Sequence, residues 1–402
     1  MKRWIELALF AVSPLSALLA APLLARGLGP DGRGDFALAL AVFSLGATLG
    51  NFGQTERVGS LLRDRGSISF WPSRILVFSA STAASCVAFI SMLMLGLDPK
   101  TALVVSLAIP ISSLGLLLRA IAVAAGRVLL LAIQAAVPSV FRVAMLGLLF
   151  VSVGLTTYLA TLVTVCTSIA GILLVRIALS ASGDIQAKSL NHRGAPASEV
   201  RRDIYTCAVQ GLPIVGFTLC VAVMLRADIF MLTALSTGDQ VGFYAATVAI
   251  TEAALAISAA FKNRMQAAVY TDDALPRVRH EGIVMVSLLG PAIVGGQLVA
   301  EPFIIHFFGS PFAPAIPAFR VLLFAAAAQM LLDCAQGLLA VLGRQRAMLA
   351  TSAFGAVITI GSLAVLIPAF GAVGAAMSSL FAYSAVAATS WFLVVMSLRS
   401  GR

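Results

Sequence analysis

Charged residues are scarce in this chain of 402 residues. Asp, Glu, Lys and Arg together make up 11% of it, whereas soluble proteins average about 25%. Hydrophobic residues make up 60%, and the mean hydropathy is +1.01. Because so few polar residues cannot cover the surface of a soluble globule, the composition excludes the soluble class and predicts a membrane protein.

The chain also lacks the residue sets that carry chemistry. It has three histidines and five isolated cysteines, with no CxxC pair, metal-ligand spacing, phosphate-binding loop or nucleophile elbow. We therefore predict no enzyme activity, no cofactor and no metal. The net charge of +10 is spread over many short segments rather than one basic patch, so we expect no nucleic-acid partner.

Long apolar stretches fill nearly the whole chain. About 20 apolar residues are needed to cross a bilayer as a helix, and the stretches have this length. The sequence predicts an all-α polytopic membrane protein with about 12 transmembrane helices. We place the spans at 4–25, 35–61, 74–96, 101–124, 129–153, 156–180, 206–234, 242–268, 282–305, 316–341, 347–367 and 372–397.

Basic residues alternate between the gaps that separate these spans. Of those outside the spans, only Arg26, Arg33 and Lys100 lie in the gaps assigned to the outside. Cytoplasmic loops carry the excess of Lys and Arg in membrane proteins. We therefore predict a multi-pass protein of the plasma (cell inner) membrane with both termini in the cytoplasm.

The longest polar stretch divides the chain into two halves. We predict an N-terminal lobe of spans 1–6 at 1–181, a cytoplasmic linker at 182–204 and a C-terminal lobe of spans 7–12 at 205–402. The motif GDFA that opens span two at Gly34 matches GFYA that opens span eight at Gly242. This correspondence predicts two six-helix repeats related by an axis along the membrane normal.

Three arginines are the candidate substrate contacts. A charge at mid-bilayer costs about 2.5–3.5 kcal/mol on insertion scales, so it should face a cavity or a partner. Arg142, one turn after Pro138, is either a cavity-facing cation or a member of an interhelical pair. Arg226 is a ligand contact or part of an ion pair, and Arg57 is a phosphate contact or an interface anchor. Together they predict a cationic cavity suited to diphosphate, because the guanidinium fork binds phosphate oxygens in pairs.

Three acidic residues are candidates for ion coupling or for charge partners of the arginines. Glu252 in span eight and Asp333 in span ten lie deep in the predicted spans. Either could carry a proton or Na⁺, or could neutralise an arginine. Asp228 lies two residues from Arg226, so the two do not share one helix face.

Several motifs resemble the polysaccharide biosynthesis branch of the multidrug/oligosaccharidyl-lipid/polysaccharide (MOP) exporter superfamily, which includes O-antigen and exopolysaccharide repeat-unit flippases. The motifs are LGPDGRGDF at 28–36, RADIFML at 226–232, VGFYAA at 241–246, LGR at 342–344 and PAFGAVGAA at 368–376. Their order and placement agree with that family across essentially the whole chain.

The resemblance implies two six-helix lobes around a central cavity. It also implies transport of a polyprenyl-diphosphate-linked oligosaccharide, as for O-antigen of lipopolysaccharide, from the cytoplasmic to the outer leaflet. The expected partners are this lipid-linked oligosaccharide, membrane lipids, and a polysaccharide polymerase with its export machinery. Asp228 matches the family's recurrent acid in span seven. Span one lacks the mid-span charge of lipid II flippases between Phe10 and Ala25, which argues against a peptidoglycan precursor.

Two other functions stay open. A gradient-driven multidrug or cation exporter of the same superfamily predicts a cavity dominated by acids. A non-transporting membrane scaffold for glycan assembly predicts that the intramembrane charges can be neutralised without consequence.

Overall fold

The computed structural model describes residues 2–65, 70–182, 197–269 and 274–399. Throughout this part the regular structure is helical, with no β-strand. The helices are α1 (Lys2–Gly50), α2 (Gln54–Arg65), α3 (Trp71–Met94), α4 (Pro99–Ala124), α5 (Val128–Ser152), α6 (Thr157–Ala181), α7 (Ala197–Leu235), α8 (Gly238–Ala268), α9 (Ala274–Phe308), α10 (Ile316–Val341) and α11 (Gln345–Arg399), with a 3₁₀ turn at Ser310–Ala315 before α10.

Twelve spans fit these helices because two of them are double. Within the described part, nine stretches are long and apolar enough to cross a membrane. Two of these, in α1 and α11, are 40 and 55 residues long. Since 55 residues of helix measure about 80 Å and the hydrocarbon core about 30 Å, α11 must cross twice. Helix α8 covers the predicted eighth span and stays a prediction as a span, while the predicted all-α polytopic fold is confirmed.

Each double helix is broken at a glycine. Gly29 (φ 70°, ψ −179°) interrupts α1, and Gly371 (φ 54°, ψ −127°) interrupts α11. Only glycine adopts such angles without strain, because it has no Cβ. At the second break the side chain of Gln240 accepts a hydrogen bond from the Ala372 amide at 3.0 Å. The breaks lie at the predicted gaps between spans one and two and between spans eleven and twelve.

The predicted second span, 35–61, is too long. Helix α1 ends at Gly50, and a turn leads into the separate helix α2. Phe52 and Gly53 both have positive φ in this turn, and the Asn51 carboxamide oxygen accepts from the Thr55 amide at 2.9 Å. Asn51 therefore caps the start of α2, whereas the sequence alone places it inside the predicted second span.

The linker predicted at 182–204 overlaps the start of α7. Residues 183–196 lie outside the described part, and α7 begins at Ala197. Contacts divide the chain into unit 1, Met1–Ala20 with Leu38–Leu219, and unit 2, Ala21–Ala37 with Cys220–Arg402. Residues 205–219, predicted for the second lobe, thus pack with unit 1. The predicted lobe boundaries stay a prediction.

In unit 1 the short helix α2 lies on the other helices through one apolar face. Val58 and Leu62, one turn apart, are buried against α4 and α6. Leu117 and Ile121 of α4 belong to the same cluster. Most other residues of α2 are polar, so the apolar pair Val58 and Leu62 determines which face of α2 packs on the other helices.

In unit 2 the segment around Gly34 packs backbone to backbone on the start of α8. A Cβ atom on Gly34 would lie 2.7 Å from the Gly238 carbonyl oxygen, and one on Gly242 would lie 1.7 Å from the Pro30 carbonyl oxygen. The two glycines of the matching motifs therefore meet each other. Arg33, also buried here, donates to the Ala245 carbonyl at 3.4 Å.

Candidate functional site

A polar cavity of about 380 Å³ lies within unit 1, between α1, α4, α5 and α6. Two arginines, Arg119 and Arg142, line it. Most of the other polar side chains are hydroxyls, and they include Ser44, Thr48, Ser112, Ser139, Thr167 and Ser168. No Asp or Glu is among the residues that line this cavity. Its walls therefore present two positive charges and many neutral hydrogen-bonding groups.

Arg142 reaches the cavity from the middle of α5. The helix contains Pro138 one turn earlier, and that proline also lines the cavity. The Nε atom of Arg142 is inaccessible to solvent and has no hydrogen-bond partner among the described residues. A guanidinium whose Nε is enclosed, in a wall without a carboxylate, is unfavourable unless a ligand supplies the negative charge.

Two of the serine hydroxyls that line this cavity, those of Ser112 and Ser139, differ in their hydrogen bonds. Ser139 of α5 donates to the Ala135 carbonyl at 2.7 Å and lies 3.2 Å from the Ser13 hydroxyl of α1. Ser112 is buried, and its oxygen has no partner within the described residues. A hydroxyl can donate to or accept from a ligand, so Ser112 can serve a phosphate or a sugar.

Arg119 was missed as a site residue by sequence reasoning. It lies near the end of the predicted fourth span, 101–124, where a cation has an ordinary explanation at the membrane interface. In the structure it is an exposed residue of α4 that lines the same cavity as Arg142. The available signal was a charge that falls inside a predicted span.

Arg57 lies elsewhere in unit 1 and does not line this cavity. Its Nε donates to the Gln210 side chain of α7 at 2.8 Å. One terminal nitrogen donates to Ser73 of α3 at 3.3 Å and to Gln54 at 3.4 Å. These bonds join α2, α3 and α7, which favours the anchor interpretation of Arg57 over the phosphate contact.

Arg226 and Asp228 belong to the part of α7 in unit 2. Asp228 is buried, and it accepts a hydrogen bond from the Tyr244 hydroxyl at 2.5 Å. That hydroxyl also lies 3.2 Å from Ser379. The acid is thus joined to α8 and α11, while Arg226 is half-buried two residues away. Sequence reasoning had named Asp228 but not Tyr244 or Ser379.

Asp333 of α10 lies in a second polar group of unit 2. Its carboxylate accepts from the Ser258 hydroxyl at 3.4 Å and interacts with the positive charge of Lys262. The positive charge near Asp333 is thus that of a lysine, and Ser258 is its hydrogen-bond partner. The side chain of Glu252 lies outside the described residues.

Removing the Tyr244 hydroxyl should destabilise unit 2. We expect Tyr244→Phe to lower the free energy of unfolding by about 1–3 kcal/mol, because buried Asp228 loses a short hydrogen bond. Denaturation in mixed micelles measures this change. Tyr205→Phe is the matched control, since Tyr205 is 70% exposed and should change little. Equal effects of the two substitutions would show that the Asp228 bond does not stabilise the fold.

No family model matches the chain, and no curated protein matches it. Solved structures do. The structure of a lipid II flippase MurJ in an inward closed conformation has a TM-score of 0.73 at 12% identity, over 95% of this chain and 86% of that chain. An inward-facing multidrug resistance MATE transporter of the MOP superfamily has a TM-score of 0.68 at 14% identity, over 99% of both chains.

A MATE transporter in the straight conformation has a TM-score of 0.56 at 15% identity, over 98% of this chain and 96% of that one. The chain has the fold of these transporters. At such identities the likeness establishes the fold alone, because unrelated functions share folds. The predicted fold class is confirmed, and the choice between a lipid-linked glycan and a drug must rest on the cavity.

Proposed function

We propose that this protein is a flippase for a polyprenyl-diphosphate-linked oligosaccharide repeat unit, such as that of O-antigen or an exopolysaccharide. It would move this lipid from the cytoplasmic to the outer leaflet of the inner membrane. The observation that carries the proposal is the cavity of unit 1, with two arginines and no carboxylate among its lining residues. Such a wall favours an anion over a cationic drug.

The diphosphate is the part of this substrate that arginine recognises best. A guanidinium donates two parallel hydrogen bonds to phosphate oxygens, and each gains strength where water is excluded. We assign Arg142 as the main diphosphate contact and Arg119 as the second cation. The hydroxyls of the same wall would bond the first sugar, while the prenyl chain stays in lipid.

The other predicted site residues do not line this cavity, and the proposal gives them other roles. Arg226 in unit 2 stays a predicted phosphate contact, and Arg57 a structural anchor. Glu252 and Asp333 stay candidates for coupling to H⁺ or Na⁺, and Asp228 for a charge partner. The cycle would be an alternation between inward and outward states, with both termini in the cytoplasm and a polysaccharide polymerase as the next partner.

The second candidate is a multidrug or cation exporter. Carboxylates in unit 2 favour it, since Asp228 is 4% exposed and the half-buried Asp333 lies beside Ser258. Both acids, however, have described hydrogen-bond partners, namely the hydroxyls of Tyr244 and Ser258. Their negative charge is therefore partly satisfied within the protein, which weakens this candidate.

Measuring which leaflet holds the lipid-linked oligosaccharide tests the proposal. In cells without this protein, we expect the prenyl-diphosphate glycan to accumulate where a membrane-impermeant glycan reagent cannot modify it. Surface polysaccharide should be lost at the same time. Normal surface polysaccharide, together with increased sensitivity to cationic drugs, would instead establish the exporter.

A further inference from the structure

A groove of about 870 Å³ opens in unit 2 between α9, α10 and α11. Its walls are mostly apolar, with Ile283 and Val286 from α9, Leu331 from α10 and Val395 from α11. The groove shares no lining residue with the cavity of Arg142. Its volume is in the range of pockets that hold a molecule of drug size, about 300–1,000 Å³.

One end of the groove is positively charged. Arg279 and His280 of α9 line it, and so does Arg399 at the end of α11. No Asp or Glu is among the lining residues. The neighbouring acid Glu281 pairs with Arg264 at 3.3 Å. The groove is therefore amphiphilic, with an apolar body and a cationic end.

The apolar side chains of the groove are exposed on the surface of unit 2. Ile283 is 55% exposed and Val286 is 54% exposed. In a membrane such side chains face acyl chains. The indole of Trp391 forms part of the wall, and it is held in place because its nitrogen donates to the Leu331 carbonyl at 3.0 Å.

The basic end of the groove belongs to the predicted cytoplasmic side. Arg277 and Arg279 lie in one predicted cytoplasmic gap, and Arg399 follows the last span. Anionic lipids give a membrane surface the negative potential that attracts such clusters, and basic pockets between helices bind their head groups. Shape and charge thus both match a phospholipid.

We propose that this groove binds one anionic phospholipid of the cytoplasmic leaflet. An acyl chain lies along Ile283, Val286 and Leu331, and the phosphate group contacts Arg279 and Arg399. This lipid is a resident of unit 2 and is not transported. The assignment does not depend on the proposed function, because an exporter or a scaffold could hold the same lipid.

Quenching of Trp391 fluorescence by brominated lipids tests the site directly. The full chain carries three tryptophans, so Trp4→Phe and Trp71→Phe leave Trp391 as the only reporter. The chain is placed in phosphatidylcholine vesicles that contain either dibrominated phosphatidylglycerol or dibrominated phosphatidylcholine at equal mole fraction. We expect the brominated anionic lipid to quench Trp391 more strongly.

Substitutions at the cationic end should remove this preference. The preference is the ratio of Trp391 quenching by brominated phosphatidylglycerol to quenching by brominated phosphatidylcholine. We expect R279Q or R399Q each to weaken binding of the anionic lipid about fivefold, the effect of one basic residue near an anionic surface. Arg277→Gln is the matched control, because Arg277 is exposed on the same turn of α9 but does not line the groove. Native mass spectrometry of the chain with all its tryptophans gives a second measurement, in which R279Q/R399Q should lose retained phosphatidylglycerol and R277Q should keep it.

Three results would overturn the assignment. Equal quenching by the two brominated lipids would show no selection of the head group. An equal loss in R277Q and R279Q would assign the preference to the general surface charge. Displacement of the brominated lipid by a polyprenyl diphosphate, at a mole fraction where unbrominated phosphatidylglycerol has no effect, would make the occupant the transported substrate.

Discussion

Replacing Arg142 by glutamine is expected to abolish glycan export while the protein still inserts and folds. Glutamine keeps the aliphatic stem and a polar end, but it is shorter and loses the charge and the guanidinium fork. A hydrogen bond to a charged group contributes about 1.5–3 kcal/mol, which corresponds to about tenfold to a hundredfold weaker binding. Complementation of a strain without the protein, with surface polysaccharide as the readout, measures this loss.

Stability separates a binding role of Arg142 from a structural one. Arg142 is half-buried, with its Nε enclosed, in a wall without a carboxylate, so its removal should leave the unfolding temperature unchanged or raise it. A structural ion-pair member would instead lower it. Arg320→Gln is the matched control, since Arg320 is an exposed arginine of α10 outside the cavity. Full export by R142Q at normal expression would contradict the flippase assignment and favour the scaffold.

Replacing Gly242 by alanine is expected to prevent unit 2 from folding. The new Cβ would lie 1.7 Å from the Pro30 carbonyl oxygen and 2.5 Å from its carbonyl carbon. These are backbone atoms, so the clash cannot be relieved by a rotamer change. Overpacking in cores commonly costs about 1–3 kcal/mol, and a clash with backbone should exceed that. The fraction of monodisperse protein after detergent extraction measures the loss.

Gly361→Ala is the control for the Gly242 substitution. Gly361 lies in α11, and a Cβ there meets nothing within 4 Å. Alanine at such a helix position should stabilise the protein by about 0.4–1 kcal/mol, because the unfolded chain loses freedom. If both variants extracted equally well, the close approach of Pro30 and Gly242 would not be required for folding.

The helices could be predicted from the sequence because their lengths follow from the thickness of the bilayer. The breaks at Gly29 and Gly371 also lay in the predicted gaps between the apolar stretches. The end of α1 could not be predicted. It depends on the Asn51 cap and on Phe52 at φ 52°, and a phenylalanine at positive φ leaves no pattern in a single sequence.

The candidate site could be predicted only in part. Arg142 stood out because an isolated cation in an apolar span is costly. Arg119 did not, since a cation near the end of a span has an ordinary explanation at the interface. Tyr244 is 16 residues from Asp228, and their contact depends on the register between α7 and α8, which the sequence does not specify.

The contact between Arg33 and Ala245 also has a consequence for synthesis at the ribosome. The two residues are 212 positions apart in the chain. At about 5–20 residues per second, the ribosome needs roughly 10–40 s to make the intervening chain. Throughout that time the nascent Gly34 segment is already made while its partner α8 does not yet exist. A messenger truncated before the codons for α8 would therefore produce an inserted product with this glycine surface permanently uncovered, a natural target for membrane quality-control proteases.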